Sequence, residues 1–147
     1  MDDLRELYQQ VILDHNKNPR NFGRLEGANR EAEGYNPLCG DHYTIYLDLD
    51  DGNVKKAGFE GSGCAISKSS ASVMTQVLEG KTLEEARQMF VKFIAMVKGE
   101  LADSSDLGKL AVFEGVRDFP TRTKCATLSW HAMKNALEGL GEPAKTE

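Results

Sequence analysis

The chain has 147 residues, 40% hydrophobic and 28% charged, with a formal net charge of −5. That length suits one domain with its own core, no apolar run approaches the roughly 18 residues of a membrane helix, and the acidic balance counts against nucleic acid. Met1-Asp2-Asp3-Leu4-Arg5 lacks the apolar stretch of a secretory signal; three cysteines do not fit a disulfide framework, so metal binding or thiol chemistry in the cytoplasm is expected.

Residues 2–15 are predicted to form an amphipathic helix, with Leu4, Leu7, Val11 and Ile12 on one face and Tyr8 beside them. Asn18-Pro19 stops it. Lys17 to Gly23 is a loop, and residues 24–36 are mostly loop with a short edge strand near Arg30–Tyr35. From Tyr43 the period becomes two: Tyr43, Ile45, Leu47 and Leu49 alternate with Thr44, Tyr46 and Asp48. Asp50-Asp51-Gly52-Asn53 is a hairpin turn, and Val54–Glu60 is the return strand. A helix over Ile66–Glu79 follows Gly61-Ser62-Gly63-Cys64. Thr82-Leu83-Glu84-Glu85 caps the next, whose inward face is Leu83, Ala86, Met89, Phe90, Phe93, Ile94 and Val97. A shorter helix is expected around Ser105–Phe113, then a loop over Gly115–Thr121. The last helix starts near Arg122–Lys124 and runs to about Leu140, with Cys125 in its first turn. Residues 1–140 make a single α+β domain, a small antiparallel sheet of two or three strands with about five helices packed on it; residues 141–147 are a flexible tail.

The hairpin brings its own ends together. Cys39 and Asp41 stand at its entrance and Cys64 just past its exit. Cys64 and Cys125 are both expected at helix starts, where the dipole favours a thiolate. If Cys39, Asp41, Cys64 and Cys125 meet, they form a three-sulfur, one-oxygen site. Thiolates select zinc, copper(I) or iron–sulfur clusters, and this donor set suits tetrahedral zinc. The alternative is three separate cysteines packed as small hydrophobes. The Gly–Cys–Gly–Asp and Gly–Ser–Gly–Cys contexts are turns rather than apolar core. Such a zinc site carries roughly two negative charges, which Arg122 and Lys124 stand near enough in sequence to offset. His42 is weighed as a further ligand and read as a surface histidine. His15 and His131 are read as structural or exposed.

Several motifs in order resemble the NifU/IscU-like iron–sulfur cluster assembly proteins, and their SufU branch in particular. They are Ile12-Leu13-Asp14-His15 through Asn18-Pro19-Arg20-Asn21-Phe22-Gly23, Asn36-Pro37-Leu38-Cys39-Gly40-Asp41, Gly61-Ser62-Gly63-Cys64-Ala65-Ile66-Ser67 and Arg122-Thr123-Lys124-Cys125-Ala126. Two features select the branch: the 60 residues between Cys64 and Cys125, and Lys124 where the IscU scaffolds carry a histidine ligand. The resemblance implies an α+β fold and Zn²⁺ on Cys39, Asp41, Cys64 and Cys125. It implies a SufS-type, pyridoxal-phosphate-dependent cysteine desulfurase as partner, with other iron–sulfur assembly proteins downstream. It implies that Cys39 accepts persulfide sulfur after a desulfurase histidine takes its place on zinc. Arg20, Asn21, Phe22 and Arg122 are weighed as docking residues against a packed loop and a solvated arginine. Two other functions stay open: a scaffold for a [2Fe–2S] cluster on the same ligands, and a zinc module that only stabilises the fold.

Overall fold

The computed structural model describes residues 2–37, 40–101, 104–139 and 144–145; for residues 2–7, 105, 106, 144 and 145 only the backbone is described. Cys39 and most of the expected tail therefore lie outside the described residues. The order is α1 (Asp2–Lys17), β1 (Arg30–Asn36), β2 (Asp41–Asp50), β3 (Asn53–Ser62), α2 (Ala65–Leu78), α3 (Leu83–Val97), a 3₁₀ segment (Ser105–Asp118), α4 (Pro120–Glu138) and β4 (Ala144–Lys145). This is the expected α+β domain. β1, β2 and β3 form an antiparallel sheet, and the two-residue β4 lies parallel to β1 in the order β3-β2-β1-β4. No described helix is long and apolar enough to cross a membrane.

The alternation over Tyr43–Leu49 puts Tyr43, Ile45 and Leu47 fully inside. The β2–β3 turn is Asp51-Gly52, both with positive φ (53° and 79°), as a two-residue hairpin loop requires. β1 falls where the short strand was expected, within one residue, but it lies between β2 and β4 rather than at the edge. Its inward positions are Ala32, Gly34 and Asn36, too small and too polar to signal a buried strand. They are small because α4 lies close above: a Cβ on Gly34 would stand 3.1 Å from the Leu128 carbonyl oxygen and 3.2 Å from the Ala132 Cβ.

Helix α3 opens with the full capping box between Thr82 and Glu85. Its Phe93 stacks on Trp130 of α4, ring centroids 4.4 Å apart, which ties the α3 side of the core to α4. The 3₁₀ segment breaks at Gly108 (φ 57°) and continues to Asp118, where a loop was expected. Helix α4 starts earlier than expected, with Phe119 as N-cap and Pro120 in its first turn. Pro120 opens the helix rather than interrupting a loop, because the first helical position has no use for an N–H.

α1 is tethered to α2. The buried His15 holds Ser72 Oγ through Nδ1 at 2.7 Å, and the same oxygen accepts the Arg20 N–H at 2.8 Å. Burial lowers the His15 pKa to about 4, with help from the positive charges of Lys109 and Arg20. The loop after α1 is strapped to β3 by Phe59 N–H to Asn21 O (3.0 Å) and Gly23 N–H to Phe59 O (2.7 Å). Phe22 packs edge-on against Phe59, yet stays 48% exposed.

Candidate metal centre

The β2–β3 pairing carries His42 opposite Ser62. That register sets Asp41, the first residue of β2, beside Gly63 and Cys64. Cys64 is the N-cap of α2, and its sulfur accepts the Ser67 N–H at 3.4 Å. The Cys64 N–H donates to Asp41 Oδ1 at 3.1 Å. Cys125 comes from α4. One ligand atom each from Asp41, Cys64 and Cys125 lies within 4.8 Å of the others. The structure thus unites three of the four expected ligands. The fourth, Cys39, sits two residues before Asp41 in a connection whose ends, Asn36 and Asp41, pair across β1 and β2.

Cys125 corrects one expectation. It lies in the second turn of α4, not the first, and is 1% exposed. The helix field falls off within the first turn, so the electropositive-start argument holds for Cys64 alone. His42 is exposed and sits 3.1 Å from Glu33 on the neighbouring strand, as a surface histidine would. His131 is packed edge-on against Phe90.

The electrostatics suit a cation. The Cys64 thiol pKa is lowered to about 5, first by a hydrogen bond from the Cys125 thiol and then by the Ser67 N–H, against the opposing effect of burial. The Cys64 charge, followed by a hydrogen bond to Cys125, raises the Arg122 pKa above its usual value. Arg122 is thereby the offsetting charge expected from its place before Cys125. Asp41 is 1% exposed, and its Oδ2 has no hydrogen-bond partner among the described residues. A buried carboxylate oxygen without a donor is costly. A cation held with the two sulfurs would satisfy it, so the residues present fit zinc.

Sequence reasoning missed the support around these ligands. Tyr43 hydroxyl lies 3.0 Å from Ser67 Oγ. A Cβ on Gly63 would meet Ser67 Oγ at 2.5 Å, Asp41 Oδ1 at 2.6 Å and the Tyr43 hydroxyl at 2.6 Å. The signal available was the spacing: Ser67 stands three residues after Cys64, the capping-box offset.

The family described as NifU-like N terminal domain matches residues 7–137. The zinc-dependent sulfurtransferase SufU of Bacillus subtilis (strain 168) is 47% identical over 136 residues, 92% of each chain. The iron–sulfur cluster assembly scaffold protein IscU of Thermotoga maritima is 36% identical over 140 residues, 95% of this chain and 99% of that one. Among solved structures, an iron–sulfur cluster assembly scaffold protein for the SUF system from Fervidobacterium islandicum AW-1 superposes with a TM-score of 0.84 at 36% identity, covering 90% of this chain and 98% of that chain. With this match and this fold, the chain belongs to the NifU/IscU-like family and groups with its SufU branch.

Proposed function

We propose that this protein, a member of the iron–sulfur cluster assembly machinery, is a zinc-dependent sulfur acceptor that takes persulfide sulfur from a SufS-type, pyridoxal-phosphate-dependent cysteine desulfurase in the cytoplasm. One observation carries the reading: ligand atoms of Asp41, Cys64 and Cys125 lie within 4.8 Å of one another, Asp41 Oδ2 has no donor among the described residues, and Cys39 stands two residues from Asp41 in the chain. The 47% identity to a zinc-dependent sulfurtransferase supports it. Zinc, when bound, supplies positive charge that keeps its sulfur ligands deprotonated at neutral pH.

The chain's own residues divide the work. Asp41, Cys64 and Cys125 would hold the ion. Cys39 thiolate attacks the outer sulfur of the desulfurase persulfide; a new S–S bond forms on Cys39, the old S–S bond breaks, and the desulfurase cysteine leaves as thiolate. Arg122 offsets the excess negative charge beside Cys64. Other assembly proteins would then take the sulfur.

The test adds zinc-loaded protein to desulfurase and cysteine and measures alanine. Output should rise, and Cys39→Ala should remove the gain. No gain from the wild-type protein overturns the reading. The 36% identity to an IscU scaffold favours a second reading, assembly of a [2Fe–2S] cluster on the same ligands. Anaerobic reconstitution decides between them: a stable chromophore that passes to an apo-ferredoxin supports the scaffold, and a persistent colourless zinc protein argues against it.

A further inference from the structure

Cys64 is the N-cap of α2 and is gripped by Ser67 in the first turn of that helix. Ser67 N–H donates to the Cys64 sulfur at 3.4 Å, and Ser67 Oγ stands 3.6 Å from that sulfur. Ser67 Oγ also lies 3.0 Å from the Cys64 carbonyl oxygen and 3.0 Å from the Tyr43 hydroxyl. Ser67 and Tyr43 are buried, at 1% and 0% exposure. A serine hydroxyl has a single proton. When Tyr43 donates to Ser67 Oγ, that proton is free to serve the Cys64 carbonyl or the Cys64 sulfur. A sulfur carrying negative charge is the acceptor that gains most from it.

We propose that Ser67, backed by Tyr43, is a positioning residue that keeps Cys64 a fixed metal ligand and a poor nucleophile, and so directs incoming sulfur to Cys39. The inference rests on the sulfur-acceptor reading above. The Ser67 N–H draws electron density from the Cys64 sulfur, and the Ser67 hydroxyl, which donates to the Cys64 carbonyl at 3.0 Å, can turn to the sulfur 3.6 Å away once that sulfur is a thiolate. A sulfur so held attacks an electrophile more slowly and stays where the N-cap places it. Gly63 leaves the room in which Ser67, Tyr43 and Asp41 converge, since a Cβ there would meet all three within 2.6 Å. Outer hydrogen bonds of this kind are a general means of fixing metal ligands.

The experiment alkylates the zinc-loaded protein with iodoacetamide and follows each cysteine by peptide mass spectrometry. Ser67→Ala should raise the Cys64 rate by roughly threefold to tenfold, the worth of one hydrogen bond, with the Cys39 rate unchanged. Ser67→Thr, which keeps the hydroxyl, should return Cys64 to the wild-type rate. Tyr43→Phe keeps the ring and should raise the Cys64 rate by a smaller factor; it decides the matter should Ser67→Ala fail to fold. A Cys64 rate that stays at the wild-type value in Tyr43→Phe and in any folded Ser67→Ala overturns the proposal. So does a joint rise of Cys39 and Cys64, which would mean a general loosening. The labelling does not use the desulfurase, so a failed alanine assay sinks the sulfur-acceptor reading while these rates still report on Ser67.

Discussion

Cys64 and Cys125 end within ligand distance of each other, yet they get there by opposite routes. Cys64 is placed locally. A glycine-flanked turn, an N-cap position and a serine three residues on fix its sulfur, and the hairpin register supplies Asp41. Cys125 is placed from a distance. Among the described residues its helix has no side-chain cap, and its neighbours Ala126, Thr127 and Leu128 are all buried. What aims Cys125 is the seating of α4 on the sheet and on α2. One ligand is therefore sensitive to local chemistry, the other to the whole core.

Gly63→Ala should break the local side hardest. The new Cβ would overlap three polar atoms at 2.5–2.6 Å, all on buried side chains that cannot swing into solvent. Overpacking of this kind costs about 1–3 kcal/mol. Because Asp41 and Ser67 are among the atoms displaced, zinc affinity should fall by about 10- to 100-fold as well. Competition against a chromophoric chelator measures the second effect and urea unfolding the first.

A pH experiment probes the tether between α1 and α2, away from the ligands. The His15 pKa in the folded protein is about 4, below the ordinary 6.5, because burial disfavours the charged ring and Lys109 and Arg20 oppose it, with Asp14 acting the other way. The unfolded chain therefore binds the extra proton first. Stability is fully present above pH 6.5 and is lost as pH falls towards 4, by at most about 1.4 kcal/mol per pH unit. Cys64 titrates in part of the same window, so the quantity to measure is the difference between wild type and His15→Gln in metal-free protein. Parallel curves for the two would show that His15 carries none of the slope.

The sequence made the local side legible and the distant side less so. The hairpin, its turn and the Thr82 capping box stood in the expected places because each is written in adjacent residues. So was Cys64 at a helix start. The start of α4 was misplaced because its N-cap is Phe119, which carries no capping oxygen, and Pro120 has two meanings in sequence: a stop or a first turn. β1 was placed within one residue but read as an edge, because its buried face is Ala32, Gly34 and Asn36, whose reason for being small is the α4 helix above them. Tyr43 gave no separate signal, and Ser67 only its offset of three from Cys64. One looks like any inward strand aromatic, the other like any helix serine, until the fold brings their hydroxyls to 3.0 Å.

Ser70→Ala should disturb the distant side, and more gently. Ser70 is fully buried between α2 and α4; its hydroxyl donates to the Ala126 carbonyl at 2.6 Å and accepts the Trp130 indole N–H at 3.2 Å. Alanine leaves that N–H without its partner, which costs about 1–3 kcal/mol. The urea midpoint should fall with an unchanged slope. Zinc affinity should fall less than in Gly63→Ala, because the Phe93–Trp130 stack and the close approach of α4 to Gly34 still seat the helix. If Ser70→Ala loses as much zinc affinity as Gly63→Ala, one hydroxyl beside Ala126 is setting the position of Cys125, and the contrast between a locally placed and a core-placed ligand collapses.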